Sequence, residues 1–172
     1  PELAPFGAYR FAELALEAGL PPGVLNVVAG GAEAGDALVR HPDVAKISFT
    51  GGGPTATRVM QSAAETLTPL ALELGGKSAN LVFPDADLDR AVPMSAFGFS
   101  ALAGQGCALP TRLLVHRDIY DSVLERLVAM VELTPVGDPL DPGTFMGPVV
   151  SEASCQRILG VIDRARTAGA GR

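Results

Sequence analysis

Short apolar runs and amphipathic helical segments alternate along the whole chain, and this alternation limits the possible folds more than any other feature. Apolar residues recur at helical spacing from Phe6 to Glu17, and Gly19 and Pro21 then end the helix. The same criteria predict helices over 33–40, 54–65, 88–102, 119–133 and 151–168, and strands over 24–28, 46–49, 69–74, 79–83 and 112–116. Strand–helix–strand repeats with short connections favour parallel strands covered by helices, so the predicted fold class is α/β.

A boundary between two units is predicted at Gly75-Gly76, where one series of alternating elements ends and a second begins. Residues 1–74 and residues 75–172 are therefore expected to belong to different α/β domains. Within the second, residues 134–148 are rich in proline and glycine and predict a long irregular connection. Connections of this length are commonly functional or lie between domains.

Composition and charge argue against several classes of function. The 13 basic and 19 acidic side chains leave a net charge of −6, which does not suit a protein that binds nucleic acid through its phosphates. No apolar run approaches the roughly 18–20 residues that cross a bilayer, and the N-terminus lacks the features of a signal peptide. Cys107 and Cys155 are the only cysteines, which favours the cytoplasm, and the isolated His41 and His116 predict no metal site.

Two glycine clusters follow predicted strands and open predicted helices, namely Gly30-Gly31-x-x-x-Gly35 and Gly51-Gly52-Gly53. The N-terminus of a helix carries unpaired N–H groups and a partial positive charge, so it can bind a pyrophosphate. Neither cluster has the G-x-G-x-x-G spacing, so the residues alone allow either a tight turn or a nucleotide site. Gly76-Lys77-Ser78 does not end a P-loop, because position 71 is alanine and a strand is predicted to follow.

Two further residues are candidates for chemistry. Cys107 follows Gly104-Gln105-Gly106, and it is either a small apolar residue or a nucleophile whose glycine neighbours admit a substrate and leave N–H groups free for an oxyanion. Glu73 lies in the apolar run 70–74 and is expected at the end of a buried strand. Its carboxylate is then either paired with a cation such as Lys77 or held among apolar neighbours as a general base.

The candidate residues lie in two distinctive segments, Leu72-Glu73-Leu74-Gly75-Gly76-Lys77-Ser78 and Gly104-Gln105-Gly106-Cys107. Together, these segments closely resemble motifs of the NAD(P)-dependent aldehyde dehydrogenase superfamily. The 34 positions between Glu73 and Cys107 match the interval usual in that family. Segments 19–28, 41–44, 47–51, 85–88 and 146–148 are also similar to family segments. The resemblance therefore extends, in order, over essentially the whole chain.

This resemblance implies a function and a set of site residues. It implies oxidation of an aldehyde to a carboxylic acid with NAD, or with NADP, in which Cys107 is the nucleophile and Glu73 activates the hydrolytic water. Residues 1–74 are then the second half of a Rossmann-like cofactor domain, and residues 75–172 are the first part of the catalytic domain. The implied cofactor-binding residues are Gly35, Phe49, Thr50, Gly51, Gly52, Thr55, Leu74 and Gly75. The family also implies a homo-oligomer.

Departures from the family pattern qualify these expectations. Gly52 and Ala56 stand where relatives commonly have serine and glycine, and loss of the serine hydroxyl removes one phosphate hydrogen bond worth about 1 kcal/mol. Family segments that complete the oxyanion hole and read the ribose fall outside the chain, so little or no turnover is expected from these 172 residues alone. A CoA-acylating enzyme and a non-catalytic relative are the alternatives, and Glu73 argues against the first.

Overall fold

The computed structural model describes residues 2–171, which form two compact units, one ending at Leu74 and the other beginning at Gly75. Each unit contains one pair of parallel strands together with helices. The α/β class predicted from the sequence is confirmed. None of the helices described is long and apolar enough to cross a membrane.

The first unit is built around a strand–helix–strand repeat. Its helices are α1 (Phe6–Glu17), α2 (Ala32–Val39) and α3 (Gly53–Ala64), and its strands are β1 (Ile47–Gly51) and β2 (Leu70–Leu74). The two strands run parallel, with Ile47 opposite Leu70 and Gly51 opposite Leu74. Helix α3 connects the strands and packs on both, burying Ala56 and Ala63 to 2% exposure.

A polar network holds α2 against α3. The buried hydroxyl of Ser62 donates a 3.2 Å hydrogen bond to Asp36, and Arg40 donates to Asp36 and to Glu65. The hydrogen bond to Glu65, followed by that to Asp36, raises the pKa of Arg40 above its ordinary value. Helix α2, which carries Gly35, is thereby fixed to the helix that follows β1.

The second unit repeats the pattern with different surroundings. It contains β3 (Ala79–Val82), α4 (Leu88–Ser100), β4 (Arg112–Val115), α5 (Tyr120–Glu132) and α6 (Glu152–Thr167). Strands β3 and β4 are parallel, with Ala79 opposite Arg112. Val82, Val92 and Val123 form the buried core between the strands, α4 and α5. Asn80 donates a 2.8 Å hydrogen bond to the buried hydroxyl of Ser95, which ties β3 to α4.

The strand predicted over residues 24–28 is wrong, because this segment forms no ladder with any other described residue. Its sequence is rich in valine, yet Val24 and Val28 are 64% and 68% exposed. A β-branched run becomes a strand only when a neighbouring strand accepts its hydrogen bonds. The long connection at 134–148 is irregular as predicted, apart from a single bridge between Val136 and Met146.

Candidate active site

The candidate cofactor residues of the first unit gather at the carboxyl ends of β1 and β2. The strand register places Thr50 opposite Glu73 and Gly51 opposite Leu74. Ligands of open parallel sheets bind at this end of the strands, where the loops leave the sheet. Four of the residues expected from the sequence therefore meet at one edge of the first unit.

The turn from β1 into α3 exposes backbone donors. Gly52 precedes the helix in an extended conformation, with φ −82° and ψ 150°, and no side chain caps the helix. Its carbonyl accepts hydrogen bonds from the N–H groups of Thr55 and Ala56, at 3.1 and 3.0 Å. Pro54 has no N–H, so the amides of Gly52 and Gly53 are the first donors at this helix N-terminus.

Open space adjoins those donors. A Cβ added at Gly53 would meet no atom within 4 Å, and one added at Gly52 would meet only Pro54 at 3.9 Å. A Cβ at Gly51, by contrast, would lie 2.5 Å from the ring of Phe49. Gly51 therefore lets the Phe49 ring lie over the strand end, whereas Gly52 and Gly53 leave room for a ligand.

The remaining candidates of this unit lie close to that turn in the chain or are joined to it by helix packing. Thr55 is exposed in the first turn of α3. Ala56, the departure from the family glycine, is buried under the helix, so its methyl group contributes to packing. Gly35 is exposed in the middle of α2, and a Cβ there would meet nothing within 4 Å.

The expectation that Glu73 is buried is wrong for this structure. Leu70, Ala71 and Leu72 are half-buried, whereas Glu73 and Leu74 are exposed at the end of β2. Burial in β2 is confined to its first three residues, so an apolar run does not ensure burial at the end of the strand. The carboxylate therefore faces solvent, where it can contact a water molecule.

Cys107 lies in a tight turn of the second unit. The N–H of Leu109 donates to the Gly106 carbonyl at 3.4 Å, which makes Cys107 and Ala108 the central residues of the turn. The thiol is free and exposed. Because the closing hydrogen bond does not use the N–H of the central residues, the Cys107 amide is available to a ligand.

The backbone before this turn is strained. Leu102 and Ala103 both have φ of 53°, and Gly104 has φ of 74°. The left-handed region costs a residue with a Cβ roughly 1–2 kcal/mol, so two consecutive cases need support from packing. Close packing is visible nearby, where Gly98 of α4 approaches Pro110 so closely that a Cβ would lie 3.0 Å from the proline ring.

Sequence reasoning missed two features of this unit. One is the left-handed pair, Leu102 and Ala103, which carries no local signal because neither residue favours that conformation. The other is Arg112, whose guanidinium Nε donates a 2.8 Å hydrogen bond to the Lys77 carbonyl. Its position just after the Cys107 turn was visible in the sequence, but its partner was not.

Other chemistry-bearing residues lie outside these clusters. Cys155 is half-buried on α6. His41 and His116 each accept a hydrogen bond at Nδ1 from a backbone N–H two residues later, so both stabilise turns. The part of the chain that the structure describes contains no group of three or more side chains able to hold a metal ion.

Comparison with known proteins identifies the family. The aldehyde dehydrogenase family model matches residues 1–171. The chain is 45% identical over 170 residues to the chloroplastic betaine aldehyde dehydrogenase of Amaranthus hypochondriacus, covering 98% of this chain and 34% of that protein. It spans about a third of the length of the curated relatives that it matches.

Solved structures agree in fold. A double mutant of betaine aldehyde dehydrogenase from Staphylococcus aureus, in complex with NAD+, is 37% identical with a TM-score of 0.90, over 98% of this chain and 34% of that one. An NADP-dependent enzyme of E. coli is 39% identical with a TM-score of 0.90, over 96% and 34% of the two chains. The chain belongs to the aldehyde dehydrogenase family.

Proposed function

We propose that the protein to which these residues belong oxidises an aldehyde to a carboxylic acid with a nicotinamide cofactor, using Cys107 as the nucleophile. The observation that carries the proposal is the exposed thiol at the centre of a tight turn, next to a glycine and with its backbone N–H available. Membership of the aldehyde dehydrogenase family supports it. Sulfur is the most nucleophilic atom that a side chain offers near neutral pH.

In the first half of the reaction, the Cys107 thiolate attacks the carbonyl carbon of the aldehyde and forms a C–S bond. The carbonyl oxygen becomes an oxyanion, which the N–H of Cys107 can stabilise by a hydrogen bond. When bound, the nicotinamide ring of the cofactor accepts the hydride that leaves this carbon. Cys107 then holds the acyl group as a thioester.

In the second half, Glu73 acts as general base toward water. Its carboxylate takes a proton as the water oxygen attacks the thioester carbon, and the C–S bond breaks to release the acid and the thiolate. The exposed position of Glu73 at the end of β2 supports this role, because a water molecule can reach the carboxylate.

The residues of the first unit fit the pyrophosphate of a dinucleotide. The β1–α3 turn supports this fit, because it presents the amides of Gly52 and Gly53 at an uncapped helix N-terminus beside open space. We assign Gly52 and Thr55 to the pyrophosphate side, with Phe49, Thr50 and Gly51 at the strand end and Gly35 on α2. Leu74 and Gly75 are assigned to the nicotinamide side. NAD is our first choice of cofactor, with NADP as the alternative.

The acyl-enzyme provides the decisive experiment. Full-length protein carrying Glu73→Gln, mixed with aldehyde and NAD+, should accumulate an acyl group on Cys107, because the thioester forms but is hydrolysed slowly. Mass spectrometry of the peptide containing Cys107 would detect the added mass. Glu33→Gln, an exposed glutamate of α2, is the matched control and should leave no acyl group.

Other outcomes identify other functions. Transfer of the acyl group to added CoA by the unmodified protein, in place of hydrolysis, would show a CoA-acylating enzyme. Absence of both the acyl group and NADH in every variant would show a non-catalytic relative. The 172-residue chain by itself should give no steady NADH signal with aldehyde and NAD+, and a sustained signal would refute that expectation.

Location and assembly complete the proposal. We infer a cytoplasmic protein, because Cys107 and Cys155 are both free thiols. We also infer a homo-oligomer, which analytical ultracentrifugation of the full-length protein would test. Small aldehydes are the expected partners, and neither nucleic acid nor membrane is.

A further inference from the structure

Arg112 joins two segments of the second unit that both carry candidate site residues. It begins β4, five positions after Cys107. Its backbone N–H donates to the Ser78 carbonyl at 3.3 Å, and its guanidinium Nε donates to the Lys77 carbonyl at 2.8 Å. The backbone of Arg112 thus binds Ser78, and its side chain binds the preceding residue, Lys77. Lys77 lies two residues after Gly75.

The segment that Arg112 holds has little other support within the unit. Residues 75–78 are all exposed and lie outside any helix or strand. A Cβ added at Gly75 or at Gly76 would meet no atom within 4 Å, so packing does not confine either glycine. Glycines unconfined by neighbours retain much backbone freedom, and a fixed carbonyl two residues later restricts it.

The Cys107 side of this link is held by a packing contact and a hydrogen bond. Pro110 packs against Gly98 of α4, and the Thr111 N–H donates to the Leu109 carbonyl at 2.9 Å. The chain from the Cys107 turn to Arg112 is thus held to α4 before it enters β4. The hydrogen bond from Arg112 then connects β4 to the segment containing Gly75.

We infer that Arg112 is a positioning residue, whose Nε–H bond to the Lys77 carbonyl fixes the Gly75–Ser78 segment relative to the Cys107 turn. The inference rests on the proposed function, in which Cys107 is the nucleophile and Gly75 lies on the nicotinamide side. Arg112 itself touches no reacting atom in this scheme. It limits the movement of the Gly75 backbone relative to the Cys107 thiol within the second unit.

Three substitutions separate a hydrogen-bond role from a charge role. Arg112→Gln removes the charge but keeps an N–H donor at the same position along the side chain as Nε. Arg112→Met has a similar length and no donor, and Arg112→Lys keeps the charge but moves the donor outward. Arg117→Met is the matched control, because Arg117 is exposed just after β4 and its guanidinium bonds to no described residue.

Two readouts are made on the full-length protein, and both are followed by mass spectrometry of individual peptides. The first is the rate of Cys107 alkylation by iodoacetamide between about pH 6 and 9. The second is hydrogen exchange of the peptides covering 75–78 and 105–111. Arg112→Met should slow alkylation by about three- to tenfold and speed exchange in both peptides, whereas Arg112→Gln stays within about twofold of the parent.

The outcomes that overturn the inference are distinct from those that overturn the proposed function. Equal behaviour of Arg112→Met and Arg117→Met would refute it, as would restoration by Arg112→Lys and not by Arg112→Gln. A different result would refute only the nucleophile assignment. In that case Cys107 of the parent protein reacts no faster than glutathione, but hydrogen exchange is still faster in Arg112→Met than in Arg112→Gln, and the role of Arg112 stands.

Discussion

The β1–α3 turn and the Cys107 turn both present backbone N–H groups at an exposed bend, but they are built in opposite ways. Gly52 has an ordinary extended conformation, and the glycines around it serve to leave space. The Cys107 turn instead follows Leu102 and Ala103, which are held in the left-handed region despite their side chains. The first turn is therefore encoded locally, whereas we expect the second to depend on the packing of α4 against Pro110.

The strongest way to break this contrast is to disturb the packing behind the Cys107 turn. Gly98→Val would push side-chain atoms into Pro110, whose ring would lie 3.0 Å from the new Cβ. We expect the free energy of unfolding to fall by about 1–3 kcal/mol, the usual cost of overpacking. Urea unfolding followed by circular dichroism measures it.

The matched control is Gly7→Val in α1, where a Cβ meets no atom within 4 Å. This change should leave the free energy of unfolding within about 0.5 kcal/mol of the parent. Equal losses at Gly98 and Gly7 would show that the packing of α4 on Pro110 does not support the turn.

A smaller effect of opposite sign is expected at the β1–α3 turn. Gly53→Ala adds a methyl group in open space at the start of α3, so it should raise the free energy of unfolding by about 0.4–1 kcal/mol. The same methyl group would occupy the space proposed for the pyrophosphate. NAD+ titration of the full-length protein should therefore show weaker binding despite the gain in stability.

Gly7→Ala in α1 is the matched control, because it also adds a methyl group in open space within a helix and lies outside the residues assigned to the cofactor. Stabilisation by Gly53→Ala with unchanged NAD+ affinity would contradict the assignment of the β1–α3 turn to the pyrophosphate.

The smallest expected effect tests the strain directly. Ala103→Gly removes the Cβ that makes φ of 53° costly in the folded state. The stabilisation from this relief should exceed the entropic cost of a more flexible unfolded chain by about 0.5 kcal/mol. The midpoint temperature of thermal unfolding should therefore be higher for Ala103→Gly than for the parent protein. Ala108→Gly, in the same loop without a positive φ, should shift it downward, and the same sign for both would show that no strain is relieved.

The sequence predicts well those elements whose signals are local. The bounds of α1 are reproduced because apolar spacing defines its length and Gly19, with φ of 94°, ends it. The predicted strand over 24–28 fails because a strand also needs a partner, which residue preferences do not reveal. Helix α4 ends at Ser100, two residues before the predicted end, because the chain turns left-handed at Leu102.

The same division applies to the candidate site. Cys107, Glu73 and the glycines were identified from motifs, because their chemistry depends on residue type and spacing. The register that places Thr50 opposite Glu73 follows from strand pairing, and the exposure of Glu73 follows from where the strand lies in the fold, neither of which a single motif contains. The partner of Arg112 lies 35 positions away in the chain, so only the folded structure reveals it.

The polar network between α2 and α3 makes the docking of the Gly35 helix sensitive to ionic strength. Arg40 and its two carboxylate partners are all at least 45% exposed, so dissolved ions reach them and weaken their attraction. The bond from Ser62 to Asp36 is partly buried and persists in salt. High salt is therefore expected to loosen α2, which carries Gly35, before it affects the β1–α3 turn.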